Sequence, residues 1–274
     1  MSRGGKLQIK EQKLEALIKE LHHVDCWIDF KKLKEIVSYG QIVVPHLEEI
    51  LQTALKKSSG INITNPPTGT DWFIVVHALY LLAQLRSEDS LDLVLAFLSQ
   101  EQEILNYWLQ DLLIEDIWEV VYFLGQNQLE KLEAFILNQN NNIFSRLAVG
   151  TALIQISAHD GSKKDNVARI IKKVLGLEKE DPDFIGLLSC ELLDIKDEAL
   201  RTSILEALEK HDVWPGLVSA DEVQLIYKNK NLRAMIPLDI FQRYENFRQY
   251  AYFAQTSPFK PQKRKTRQKL ANQT

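Results

Sequence analysis

The chain has 274 residues, of which 45% are hydrophobic and 26% charged, with a net charge of −4. That balance belongs to a folded protein with a sizeable core and excludes a wholly disordered or collagen-like chain. No apolar run reaches the roughly 18–20 residues that cross a bilayer, and the two cysteines, Cys26 and Cys190, lie too far apart for a zinc or redox motif, so they read as buried reduced thiols.

Met1 to Lys6 leads into a charged helix rather than a signal-peptide apolar core, so a cytoplasmic location is expected. Residues 7–21 place Leu7, Leu14, Leu17, Ile18 and Leu21 on one face and read as an amphipathic cap helix. His22-His23-Val24-Asp25-Cys26 has metal-ligand residue types, but adjacent histidines diverge and no second cluster completes a shell, so it reads as an interhelical turn with no metal. Leu33, Ile36 and Val37 run up to Gly40, a helix stop, and Pro45 suits the first turn of the next helix. That helix carries Leu47, Ile50, Leu51 and Leu55. A loop of turn formers over 58–70 follows.

Trp72 to Leu85 is apolar on nearly every side, which marks a core helix covered from several directions. Arg86 to Ser90 forms a polar turn, and Leu91, Val94, Leu95 and Leu98 make the second helix of an antiparallel hairpin. Such a pair cannot bury its own apolar surface and needs stacked neighbours. Shifting Leu91, Val94 and Ala96-Phe97-Leu98 by 38 residues reaches Leu129, Leu132 and Ala134-Phe135-Ile136. A further 38 reaches Val167, Ile170, Ile171 and Val174, and a further 33 reaches Leu200, Ile204, Leu205 and Leu208. Each is preceded by an apolar helix, over 109–124, 143–156 and 184–193. Two helices per unit at this period imply an all-α fold, a HEAT/armadillo-like α-solenoid of about five helical hairpins with capping helices.

After Trp214-Pro215-Gly216, 221–228 reads as a short helix. Residues 232–254 follow, with Phe241, Tyr244, Phe247, Tyr250, Tyr252 and Phe253 at helical spacing beside Arg243 and Arg248. This reads as a terminal capping helix, with base stacking as the functional alternative. From Ser257 onward, Lys260, Lys263, Arg264, Lys265, Arg267 and Lys269 meet no acid and read as a disordered basic tail, leaving the rest of the chain more acidic than its net charge suggests. The expected organisation is therefore 1–57 cap and first pair, 58–70 loop, 71–215 repeats, 216–256 capping helices and 257–274 tail.

His77-Ala78-Leu79-Tyr80-Leu81-Leu82-Ala83-Gln84-Leu85-Arg86, with Leu112-Leu113-Ile114-Glu115-Asp116-Ile117, resembles the central part of a bacterial HEAT-like family of unknown function. The resemblance spans about residues 30–210 and implies a fold more than an activity. Many members carry a C-terminal SEC-C type zinc motif. This sequence has no cysteine after Cys190, so that motif is not carried over.

No phosphate-binding glycine loop, HExxH or GxSxG elbow is present, so no catalytic residue and no cofactor is assigned. His77, amid apolar neighbours, reads as a neutral, hydrogen-bonded core histidine. Asp111, Glu115 and Glu119 fall at i, i+4 and i+8 beside Trp108, as one acidic helix face that is either solvated or opposed to a basic partner. Lys172 and Lys173 face the same groove if the second helices of the pairs line the concave side. The expected function is a non-catalytic protein-binding scaffold or adaptor docking its partner on that surface. One alternative is a nucleic-acid-associated protein using Arg243, Arg248, Lys263, Arg264, Lys265 and Arg267, disfavoured by the acidic body. Another is a HEAT-like enzyme such as a bilin-lyase-like protein.

Overall fold

The computed structural model describes residues 3–58, 72–228 and 239–256, with side chains over 10–57, 72–228 and 239–249. Among these residues the chain is helical and carries no strand. The helices are α1 (Arg3–Leu21), α2 (Phe30–Ser38), α3 (Val44–Ser58), α4 (Phe73–Gln84), α5 (Leu91–Leu98), α6 (Gln102–Trp108), α7 (Leu112–Glu115) and α8 (Ile117–Gly125). They continue with α9 (Leu129–Leu137), α10 (Ile143–His159), α11 (Lys164–Leu175), α12 (Pro182–Ile195), α13 (Glu198–Lys210), α14 (Ala220–Lys228) and α15 (Ile240–Thr256).

The ends follow from local chemistry. The side chains of Asp29, Asn142, Asp181 and Asp197 each accept a backbone amide hydrogen at a helix start, and Pro182 sits just inside one of them, where its missing N–H is harmless. Gly40 stands at φ +59 behind α2, a left-handed stop that a side chain would strain.

The helices α4, α8, α10 and α12 form an inner row, each packed on the next. In a second row α9 packs on α11 and α11 on α13, while α5 lies against α3 and α8. Polar contacts tie helices that are well separated in the chain. Lys131 meets Asp92 at 2.8 Å, Asn127 donates to Glu88 at 2.7 Å, and Lys163 donates to Asn127 at 3.0 Å. Arg169 meets Glu133 at 2.9 Å, and Lys210 donates to the Gly176 carbonyl at 3.1 Å. These partners lie 34 to 39 residues apart in the chain, matching the period read from the leucine pattern. Close approach of α10 to α12 depends on Gly150, because a Cβ there would stand 2.7 Å from Leu188 Cδ1.

Two features depart from the expected pattern. The apolar run 109–124 is not one helix: the chain breaks at Gln110 (φ 50) and again at Asp116, giving α6, α7 and α8. Folded back, α6 packs on α4 and α7 on α8 and α10, and Leu105, Leu109, Leu112 and Leu113 are all buried. The second departure is the place of α15. It covers apolar surface, as a capping helix does, but the surface belongs to α2 and α4, early in the chain: Tyr244 packs on Phe30, Phe73 and Tyr80, and Phe247 on Trp72 and Phe73. Packed against α3 and α8 and overlaid by α2, α6 and α15, α4 has every residue from Phe73 to Ala83 buried.

Candidate functional site

Where α15 crosses the break between α7 and α8, a buried polar cluster forms. The Tyr80 hydroxyl donates to Asp116 Oδ2, Arg243 Nη1 lies 3.2 Å from Asp116 Oδ1, and Arg243 Nε donates to Glu119 Oε2 at 2.5 Å. The guanidinium also faces the Trp118 ring at 5.1 Å. Glu119 is wholly buried, and its Oε1 finds no hydrogen-bond partner among the described residues. Two carboxylates thus share one guanidinium away from water. Burial pushes both carboxyl groups above the ordinary range, against the pull of Tyr80 and Arg243 on Asp116 and of Arg243 on Glu119.

Asp116 and Arg243 of this cluster floor an open cleft of about 490 Å³. Asp111 and Glu115, both exposed, stand on its rim, and Trp72 and Phe247, with ring centroids 6.3 Å apart, form an aromatic wall. Burial, reinforced by Asp116 and Asp111, raises the Glu115 carboxyl as well. The cleft is rich in negative charge only partly balanced by Arg243, beside π faces that attract cations. Among the described residues no cluster of three His, Cys, Asp or Glu side chains is arranged to hold a metal ion.

The expected single acidic face does not survive the break at Asp116. Asp111 and Glu115 remain together at the cleft, whereas Glu119 turns inward to Arg243. Trp108 lies elsewhere, buried in the wall of a second cavity. Lys172 and Lys173 sit exposed on α11, where Lys173 meets Glu133 at 2.5 Å, and neither lines the cleft. Arg243 and Arg248, the nucleic-acid contacts of the alternative reading, make contacts within the chain. Arg243 is held by Asp116 and Glu119, while Arg248 donates to the carbonyls of Cys26 (2.5 Å) and Ile28 and stacks on Phe30 at 4.0 Å. Their donors are engaged within the chain. Lys263, Arg264, Lys265 and Arg267 lie outside the described residues.

Sequence reasoning missed Tyr80, Asp116, Arg243, Trp72 and Phe247 as one assembly. A signal existed: Asp116 and Glu119, three apart inside an otherwise apolar run, demand a buried cation. Arg243, in an aromatic helix 124 residues beyond Glu119, supplies it.

His77 is neutral and bonded on both sides, as its setting in the sequence suggests. Its Nε2 lies 3.2 Å from the Val24 carbonyl, which can only accept, so Nε2 carries the proton and the Tyr244 hydroxyl donates to Nδ1 at 2.8 Å. The ring thus ties the α1–α2 turn, α4 and α15 together. Burial lowers its pKa to about 4, against the pull of the Val24 carbonyl. Since the folded value lies below the ordinary one of about 6.5, the contribution to stability is full above about pH 6.5 and is lost as pH falls towards 4. Urea unfolding across that interval is expected to show a loss on the order of 3 kcal/mol that His77→Gln removes.

Both thiols are shifted upward, Cys26 to about 12, by burial first and by neighbouring acids second. Among the described residues no helix is long and apolar enough to cross a membrane.

No curated protein and no solved structure matches the chain. A family model described as "Protein of unknown function (DUF1186)" matches residues 12–247, a span that contains the inner row, the broken α6–α8 segment and the part of α15 that closes the cleft. The chain therefore belongs to the DUF1186 family, in agreement with the broad expectation of a family of unknown function.

Proposed function

We propose that this protein is a HEAT-like α-solenoid scaffold of the cytoplasm that binds a partner protein without turnover, and that the α7–α15 cleft takes a basic segment of that partner. The observation that carries the reading is the cleft's composition: exposed Asp111 and Glu115 on the rim, Asp116 paired with Arg243 beneath them, and Trp72 with Phe247 as an aromatic wall. An inserted lysine or arginine would gain ion pairs at the rim and cation–π contact at the wall. The rim is held at α7, anchored by the buried Leu112 and Leu113, so little ordering is needed on binding. The cross-unit contacts at a spacing of 34 to 39 residues support the solenoid reading. The cleft is preferred to the α11 face because Lys173 is already paired with Glu133.

Capture from source lysate tests the reading. Wild-type protein is expected to retain a partner that Asp111→Lys/Glu115→Lys loses by at least about tenfold, since both changes reverse charge at exposed positions. Equal retention by the charge-reversed protein would remove the cleft from the proposal, and turnover of any substrate by the purified chain would remove the scaffold.

A further inference from the structure

The larger cavity lies on the other side of α4, between the end of α1, one face of α3 and the end of α6, and encloses about 700 Å³. On α3 the lining residues His46, Glu49, Ile50, Thr53, Ala54 and Lys57 follow helical spacing, so one stripe of that helix faces the cavity. Its chemistry is divided. Ile18, Ile50, Ala54, Ile74 and Val75 give an apolar surface, against which Trp108 stands 6% exposed with an indole N–H that has no acceptor among the described residues. Around it Lys19, His22, His23, His46 and Lys57 present basic side chains, with Glu49 as the acid among the lining residues.

From this juxtaposition of an apolar floor, a basic rim and an orphan indole donor, we propose that the cavity binds an amphipathic anion. The ligand class is a small molecule with a carboxylate or phosphate head and an apolar body. The head meets Lys19 and Lys57, whose ammonium groups suit a compact anion, and the body lies on Ile50, Ala54, Ile74 and Val75. The volume falls within the range of small-molecule sites. Transition-metal binding is the other chemistry that histidines suggest, but no three ligating side chains among the described residues are arranged for it. The site shares no lining residue with the α7–α15 cleft, so the two proposals stand or fall separately.

Calorimetry on the full chain tests it with monomeric dodecanoate as the probe. Three controls divide the chemistry: acetate has the head without the body, dodecyltrimethylammonium has a like body with the opposite charge, and vesicles of anionic phospholipid present heads on a membrane. One dodecanoate per chain is expected to bind, with acetate and the cationic amphiphile at least about tenfold weaker. Lys19→Glu/Lys57→Glu should weaken dodecanoate by about tenfold or more. Thr53→Trp, which places an indole in the cavity from an exposed helical position, should abolish binding while leaving the helical circular dichroism unchanged. Absence of dodecanoate binding overturns the proposal. So does equal affinity for the cationic amphiphile, indifference to both variants, or binding to vesicles alone.

Discussion

Replacing Arg146 with alanine is expected to destabilise the protein by about 3–5 kcal/mol, read as a shift in the urea midpoint. Arg146 and Glu180 form a bidentate pair with N···O distances of 2.8 and 2.5 Å, and their side chains are only 1% and 3% exposed. The guanidinium also donates through Nε to the Ile136 carbonyl at 2.8 Å and lies 4.0 Å from the Phe184 ring centroid. One side chain thereby joins the end of α9, the start of α10 and the residues that open α12. Removing it leaves the Glu180 carboxylate buried without its cation, which is why the loss exceeds that of a surface pair. Arg146→Met/Glu180→Gln should recover most of it, because no charge is then stranded. Burial raises the Glu180 carboxyl, but Arg146, the Asp181 amide and Gln139 outweigh it and hold the group below the ordinary glutamate value. With the folded value depressed, the pair's contribution is present above that ordinary value, about 4.3, and is lost as pH falls further. The wild-type advantage over the uncharged double variant should shrink in that acid range.

Arg243→Met is expected to have a comparable effect, about 3–5 kcal/mol at neutral pH. It strands Asp116 and Glu119, 7% and 0% exposed, and removes the link from α15 to α8. Its pH dependence runs the other way. Burial already holds both carboxyl groups above their ordinary values, and without Arg243 they rise further. A carboxyl whose folded value is raised binds its proton more tightly in the folded state, so folding is favoured as pH falls and penalised as it rises. The variant should therefore lose more stability at pH 7 than at pH 5. Asp116→Asn/Glu119→Gln in the Arg243→Met background should flatten that dependence. A loss independent of pH would assign the effect to packing against Trp118 instead.

How far the sequence reaches depends on which force sets each element. Apolar periodicity located α5, α9, α11, α12 and α13, because each has a buried stripe whose spacing the leucines and isoleucines record, and α10 showed as a long apolar run that is buried on every side from Ser145 to Ile156. A spacing of 33 to 38 residues was read from the same pattern, and the ties from Lys131 to Asp92 and from Arg169 to Glu133, 39 and 36 residues apart, lie close to it. The break at Gln110 and Asp116 was not legible. Residues 105–124 are apolar enough to be buried in either arrangement, and neither Gly nor Pro marks the turn. The candidate cleft was half legible: Asp111 and Glu115 stand out as charges in an apolar run. Their aromatic wall requires knowing that α15 returns to α4, and Arg243 and Tyr244 announce a buried helix without saying against which neighbour. Long-range pairing of this kind is set by the fit of whole surfaces, which no local spacing encodes.

Hydrogen–deuterium exchange on the full chain, with and without its captured partner, tests the scaffold reading most directly. If a basic segment of the partner occupies the α7–α15 cleft, protection is expected over 110–116 and 240–249, and it should vanish with Asp111→Lys/Glu115→Lys although the free protein remains folded. Protection confined to α9, α11 and α13, or binding that leaves the cleft segments exchanging as in the free chain, would contradict it.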